Sequence, residues 1–425
     1  MTTPNASTGK MSTFSSYGPT PDLTLKPDVT APGGQIWSTA NNNSYQEMSG
    51  TSMASPFTAG VSALVTQSLS GSVAASNINQ YVKTDLMNTA VPLYDKDHPD
   101  AIVSPRRQGA GLVQVDKAVD NKVFATTTSG DASISLKEIT SNTQTMTVQL
   151  TNNGKDKATY SFNKYGGVWT NSATSQQNAY DDKLSGAAIN LASATNRKGA
   201  NVLDSNQKIT VAASDTVTVK IKLTLPQQTT NSYVEGYIGF QAENNGVTTS
   251  AQNLVVPYLG YYGQWNSQKI FDDPIWTGNS YYGTSYFMDG EKNILGLNAK
   301  GDNITPSNIA FSPNFDDSQD TATPIVSLWR NAKNLTAQIY KNDPDDDKNA
   351  NQKPIRTLYI DPEVTKTYYN TSTGSYTSYT GNSLGWDGTV WNAKTGQYDT
   401  ATDGQYYYKI SAESESGSTD KQSQT

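Results

Sequence analysis

Apolar residues recur at every fourth position from Met53 through Phe57, Val61 and Val65 to Leu69, with Ala54 and Leu64 alongside. That spacing is the stripe of a helix that buries one face, and it predicts a helix from Ser52 to about Ser70. Ala59 and Gly60 within it leave room for a sheet to approach closely. Gly50 gives the turn before the helix its backbone freedom, and Pro56 is read as part of the first helical turn, where a missing N–H is no loss. Residues 25–40 are expected to form a strand and loop, and Asn41–Tyr45 a surface turn. A second helix is expected over Ala75–Asn88, and a short third one ends near Val119.

From residue 120 onward the period is two. Thr145–Leu150, Thr216–Leu223 and Val234–Phe240 alternate polar and apolar positions, and Val255–Gly263 reads as a further strand. Asn152-Asn153-Gly154 and Asn244-Asn245-Gly246 supply turns between them. Alternation of this kind predicts an antiparallel β-sandwich with one wet face per sheet. Residues 264–305 are dense in Trp, Tyr, Gly and Asp, including Trp265, Trp276, Tyr281, Tyr282 and Tyr286. They read as aromatic packing, with a sugar-stacking platform as the functional alternative. A further β region over 306–415 is signalled by Ile309–Asn314, Val326–Ala332, Trp386–Thr389 and Asp403–Ile410, in which Asp387-Gly388 and Asp403-Gly404 are turn chemistry.

The chemistry concentrates in Ser49-Gly50-Thr51-Ser52-Met53-Ala54-Ser55-Pro56. A serine at the start of a helix faces free backbone N–H groups and the positive end of the dipole, both of which favour developing negative charge. This octapeptide resembles the nucleophile motif of the subtilisin-like serine peptidases, the subtilases. Upstream, Phe14–Pro19 and Lys26-Pro27-Asp28-Val29-Thr30-Ala31-Pro32-Gly33 resemble the segments that lead to that motif, and Gly109–Val115 resembles the stretch that closes the catalytic domain. Residues 11–69 are close to the cell-envelope proteinases of lactic acid bacteria (lactocepins), a branch in which Phe57 stands where most subtilases carry histidine. The resemblance implies Ser52 as nucleophile, its N–H as an oxyanion donor, and Gly50 and Thr51 in support. It also implies protein or peptide substrates, an extracellular or cell-wall location for the parent protein, and fibronectin type III-like modules after the catalytic domain.

A subtilase also needs an Asp, a His and an oxyanion Asn, all ahead of the serine in chain order. Only 51 residues precede Ser52 and none is histidine. The sole histidine, His98, follows in the polar loop Tyr94–Asp100 and reads as a solvated loop residue. The resemblance therefore implies a chain that carries the serine half alone, inactive by itself, with a separate N-terminal half as a partner. The net charge of −7 disfavours nucleic acid. The lack of cysteine excludes disulfide scaffolds and thiolate metal sites, and suits either a cytosolic or a Gram-positive exported protein. No stretch has the length of a membrane span, and neither a signal peptide nor a wall anchor is recognisable. No cofactor is expected. Asp316, Asp317 and Asp320, and the Asp343–Asp347 loop, are oxygen-rich, but neither fits the calcium-loop pattern, so calcium is the lesser reading beside a hydrated hairpin.

The expected architecture is multidomain: a partial α/β subtilisin-like domain over 1–119, a fibronectin type III-like sandwich over 120–263, and an aromatic-rich connector over 264–305. A second all-β fibronectin/immunoglobulin-like sandwich over 306–415 and a polar tail over 416–425 complete it. The expected function is serine endopeptidase of the cell-envelope type. The alternative is a non-enzymatic cell-surface binding or spacer module.

Overall fold

A computed structural model describes residues 8–71, 73–96, 98–171, 180–227, 231–243, 251–265, 268–314, 316, 318–349, 351–370, 373–380, 384–414 and 421–425. The Asn244–Gly246 turn and Asp317 lie outside the described residues. The chain is mostly strands with few helices, and it divides into two compact units, Met1–Trp265 and Asn266–Thr425.

The first unit begins with an exposed hairpin, β1 (Ile36–Ala40) paired with β2 (Ser44–Met48). Helix α1 (Thr51–Leu69) follows. Its predicted stripe is buried only at Val61, Val65 and Leu69, which meet Val82 and Leu86 of α2 (Ile78–Asn88), Ala118 of α4 and Phe124. In the first two turns Phe57 is 44% exposed, and Leu64 further on is 51% exposed. Ala59 and Gly60 are exposed too, and nothing among the described residues lies within 4 Å of where a Cβ at Gly60 would stand. The close sheet approach expected there is absent from the described residues. Polar side chains stabilise the opposite ridge instead: Thr58, Ser62 and Thr66 each donate to the carbonyl four residues back. After α2 come the short helices α3 (Pro105–Gln108) and α4 (Val115–Asp120). In place of a parallel sheet, the described residues of this segment hold two isolated parallel bridges, Thr30 to Leu112 and Ser70 to Val73.

Two sheets follow and share one core. One contains β3 (Val123–Thr126), β5 (Thr143–Asn152), β9 (Ala188–Asn196) and β11 (Thr216–Thr224), in the order β3-β5-β11-β9. The other is built around β12 (Ser232–Ala242) and β13 (Leu254–Tyr262), flanked by β4 (Ile134–Ile139), β6 (Ala158–Asn163) and β10 (Ile209–Val211), with β7 (Trp169–Asn171) and β8 (Asp181–Lys183) at the side. Period-two patterning sets the register: Met146 faces Ile221, Val148 faces Val219 and Leu150 faces Val217, so every apolar side chain of β5 meets another in the same layer.

β12 and β13 depart from the expected wet face. Val234, Ile238 and Phe240 point into the shared core, while Tyr237 and Val255 belong to a second apolar cluster with Met87, Ala90, Ile102 and Ala110. The segment before residue 111 covers this face, so both sides are dry. Asn88 clamps the arrangement, donating to the carbonyls of Ala125 and Val255 and accepting from the Ala125 N–H at 2.7 Å.

In the second unit, β14 (Tyr286–Met288) pairs with β15 (Thr323–Ile325). A four-stranded sheet runs β17-β16-β22-β23, from β16 (Ala332–Tyr340), β17 (Arg356–Val364), β22 (Tyr407–Ser414) and β23 (Lys421–Gln424). Strand β23 lies in the stretch read as a polar tail; its alternate side chains carry hydrogen bonds, Gln422 to Ile270 N–H and Gln424 to the Asp272 carbonyl. Two hairpins, β18 (Tyr368–Asn370) with β19 (Ser375–Thr377) and β20 (Thr389–Asn392) with β21 (Gln397–Thr400), form separate two-stranded sheets. The core gathers Ile270, Val326, Leu328, Leu335, Val364, Leu384 and Ile410. Tyr281, Tyr282, Trp329 and Tyr376 form a chain of ring contacts at 4.8–5.1 Å. Trp265 belongs to the first unit, where it packs on Tyr261 and donates to the Pro21 carbonyl.

One buried group makes the first unit sensitive to pH. Asp85 of α2 is fully buried; Asn121 donates to Oδ1 at 2.9 Å, and Oδ2 has no hydrogen-bond partner. Burial pushes its pKa up to about 7, against the opposing pull of the Asn121 hydrogen bond and Lys122. The folded chain therefore holds a proton that the unfolded chain releases near pH 4. Stability contributed by this proton is complete below about pH 4 and is lost as pH rises through about 7. Asp85→Asn is expected to remove that decline. Relative to wild type, the variant gains up to about 4 kcal/mol between pH 4 and pH 8 in chemical denaturation, three pKa units at about 1.4 each. Parallel pH profiles for the two proteins would contradict the assignment.

Candidate active site

Ser52 occupies the second position of α1, in the exposed first turn. The N–H groups of a helix's first turn have no acceptor within the helix, so they point outward as donors. No hydrogen bond engages Ser52 Oγ among the described residues. Thr51 is exposed beside it and Gly50 caps the helix without a side-chain hydrogen bond.

The turn is built differently from expectation in two respects. Gly50 has φ 162°, extended backbone open to any residue, and an added Cβ would meet its neighbours at ordinary distances. The close approach falls on Gly33, where a Cβ would lie 2.8 Å from the Gly50 carbonyl oxygen. Gly50 N–H in turn donates to the Gly33 carbonyl at 2.8 Å, and Ser49 Oγ accepts from Gln35 N–H. Pro56 stands at the sixth helical residue, in the second turn. Lacking an N–H, it leaves the Ser52 carbonyl without its helical partner.

His98 is held elsewhere. Its Nδ1 lies 3.2 Å from Asp95 Oδ1 and its ring stacks on Tyr180 at 4.0 Å. Asp22 and Asp28 are engaged with lysines: Asp22 with Lys137, Asp28 with Lys26 and Lys83. Among the described residues, no three His, Cys, Asp or Glu side chains gather as a metal site. Asp316 accepts hydrogen bonds from Asn314 and Ser318 within its own turn, and the Asp343–Asp347 loop is likewise tied by Asp343 to Asp345 N–H and by Asp345 to Lys409.

Sequence reasoning missed the polar centre of the first unit. Every residue of 101–111 is buried. Ser104 caps α3, accepting from Arg106 N–H at 3.1 Å, and donates to Glu235 Oε2 at 2.9 Å. Arg106 Nε donates to Glu235 Oε1 at 2.8 Å; its Nη2 reaches Glu235 Oε1 at 2.8 Å and Asp181 Oδ1 at 3.4 Å. Its guanidinium also covers the Tyr233 ring at 4.0 Å. Two buried carboxyls thus face one cation. Burial, then the neighbouring Glu235 charge, holds the Asp181 pKa well above the usual carboxylate range. For Arg106 burial acts the other way, but Glu235 and Asp181 outweigh it and hold the guanidinium charged. The only sequence signal was a charged residue inside a strand pattern, Val234-Glu235-Gly236, which reads as a solvent-facing position.

The subtilase family matches residues 2–111, and an Fn3-like domain matches residues 134–259. Residues 2–111 belong to the subtilase family. The PI-type proteinase of Lactococcus lactis subsp. cremoris is 35% identical over 444 residues, covering 96% of this chain and 22% of the relative. The PII-type proteinase of Lacticaseibacillus paracasei is 34% identical over 441 residues, with the same coverage of 96% and 22%. The C5a peptidase of Streptococcus pyogenes serotype M1 is 27% identical over 482 residues, covering 96% of this chain and 38% of the relative. The chain spans about a fifth of the length of the two proteinases, at 22% of each. The segment matched by the subtilase family contains Ser52. It ends on the face of the Fn3-like sheet that buries Arg106.

Arg106→Met is expected to lower stability by roughly 3–5 kcal/mol, because it strands Glu235 and Asp181 without their cation. Guanidinium denaturation of the whole chain measures this. A loss below about 1 kcal/mol would show that the buried cluster holds nothing together.

Proposed function

We propose that Ser52 is the nucleophile of a subtilisin-like endopeptidase that cleaves extracellular proteins at the cell envelope. The observation that carries this is the placement of Ser52: exposed, at the open N-terminus of a 19-residue helix, within the segment matched by the subtilase family. Ser52 Oγ attacks a peptide carbonyl to give an acyl-enzyme, and its own N–H is one donor to the oxyanion. Acyl transfer of this kind draws on no cofactor. The serine needs a general base, and the one histidine of this sequence, His98, is held by Asp95 and Tyr180 instead. The base, its orienting Asp and the oxyanion Asn are therefore supplied by polypeptide outside these residues. Trp37, Tyr45, Met48 and Phe57 are each at least 44% exposed, an unusual concentration of apolar surface around the Ser52 turn, and it suits that complementing part of the domain. Among the described residues no helix is long and apolar enough to cross a membrane.

The test is complementation. The chain alone is expected neither to cleave casein nor to take a fluorophosphonate on Ser52. Mixed with the preceding half of a related subtilase domain, it is expected to do both, and Ser52→Ala is expected to cut cleavage by on the order of 10⁴-fold or more. Tight association with no labelling of Ser52 would rule out the nucleophile and favour a surface-binding or spacer role.

A further inference from the structure

We propose that Glu235 and Tyr237, two side chains of the Fn3-like strand β12, are positioning residues for Ser52. They act through residues 104–111, which fix the backbone that carries the nucleophile's turn. The inference rests on the reading of Ser52 as nucleophile, and extends it by making the Fn3-like sheet a working part of the catalytic scaffold.

The connection is continuous. Glu235 holds Arg106 and Ser104 as described, and Tyr237 donates its hydroxyl to the Gly109 carbonyl at 3.0 Å. The anchored segment then grips the subtilase strand at three points. Gly18 N–H donates to the Arg106 carbonyl at 2.8 Å, Thr30 Oγ1 to the Gln108 carbonyl at 3.1 Å, and Ala110 N–H to the Asp28 carbonyl at 2.9 Å. Thr30 N–H donates to the Gly111 carbonyl at 2.8 Å, and the Thr30 carbonyl accepts from Val113 N–H at 3.0 Å. There is no slack at Gly109: it has φ 63°, and a Cβ there would stand 2.3 Å from the Asp28 carbonyl oxygen. Three residues beyond Thr30, Gly33 receives Gly50 N–H at 2.8 Å, and Ser52 follows two residues later. The links are backbone hydrogen bonds and bonds from the buried Glu235 and Tyr237, apart from the half-buried Thr30 hydroxyl and the covalent step through residues 31–32, so a shift at β12 is passed along a mostly packed path. In the first two turns of α1 only Met53 and Ala54 are half-buried, and Ala54 lies against Gly33, so the turn's support comes from the same segment.

The test uses the whole chain and reads amide hydrogen exchange at Thr30 and Gly50, whose N–H groups are bonded in the links above, and at Met53, whose N–H donates to the Gly50 carbonyl at 3.0 Å. Tyr237→Phe removes one hydroxyl, and Glu235→Gln removes the charge at constant shape. Val219→Ala, in the far sheet, is the control for general loss of stability. In both β12 variants those three amides are expected to exchange roughly tenfold or more faster than in the control, compared at equal global stability, while the β5 and β11 amides match it. Unchanged exchange at Gly50 and Met53 in Tyr237→Phe overturns the proposal. So does acceleration no greater than in Val219→Ala. If Glu235→Gln fails to fold, Tyr237→Phe decides alone. Labelling of Ser52 by a fluorophosphonate after complementation gives the second reading. Labelled wild type with a severalfold slower Tyr237→Phe supports positioning, and equal rates overturn it. Wild type that never labels removes the nucleophile reading, and with it the catalytic meaning of the link, whatever the exchange shows.

Discussion

The first unit depends on a buried guanidinium. Arg106 sits between Glu235 and Asp181 where the subtilase segment lies on the Fn3-like sheet. A buried ion pair is not in itself a source of net stability, because desolvation offsets the attraction. What it supplies is specificity. With two carboxyls and one cation in a dry pocket, only an arrangement that keeps Ser104, Arg106 and Tyr233 together satisfies the charges, and burial with the neighbouring Glu235 charge holds the Asp181 pKa well above the usual carboxylate range. The apolar cluster of Met87, Ile102, Ala110, Tyr237 and Val255 supplies the area that makes this face worth burying.

This arrangement separates the subtilase segment into two regimes. Residues 84–90 and 101–111 are interior, fastened by Asn88, Arg106 and Tyr237. The hairpin β1–β2 and the first turns of α1 stand in solvent, with Trp37 stacked on Tyr45 as its main cross-strand contact. Ser52 lies at the junction. It belongs to the exposed part by location and to the rigid part by connection, through Gly33 and Thr30. A serine so placed is available to a base arriving from outside, while its backbone is already set.

Much of this was legible in the sequence, and the failures have physical reasons. Helical and strand periods locate α1, β5, β11, β12 and β13 to within a residue or two, and α2 with its start three residues early, because each buries a stripe or a face. Periodicity reports that a residue faces one side, and says nothing about what covers the other. Glu235 and Tyr237 therefore read as wet-face positions, though a segment some 130 residues earlier seals them off. The same limit misplaced Phe57: a helix stripe predicts burial, but burial needs a partner layer. Gly50 was credited with a constraint that belongs to Gly33, because which of two touching backbones lacks room for a Cβ is a property of the contact. The motif around Ser52 was plain since its chemistry is local.

The central claim is that residues 104–112 and the Fn3-like sheet form one cooperative structure. Native-state hydrogen exchange in rising denaturant tests it most directly, comparing the amides of Arg107, Gly109, Ala110 and Leu112 with those of Val217, Val219 and Ile221. The account predicts a single opening free energy with the same dependence on denaturant for both sets. Opening of residues 107–112 at lower free energy, insensitive to denaturant while the sheet stays closed, would contradict it.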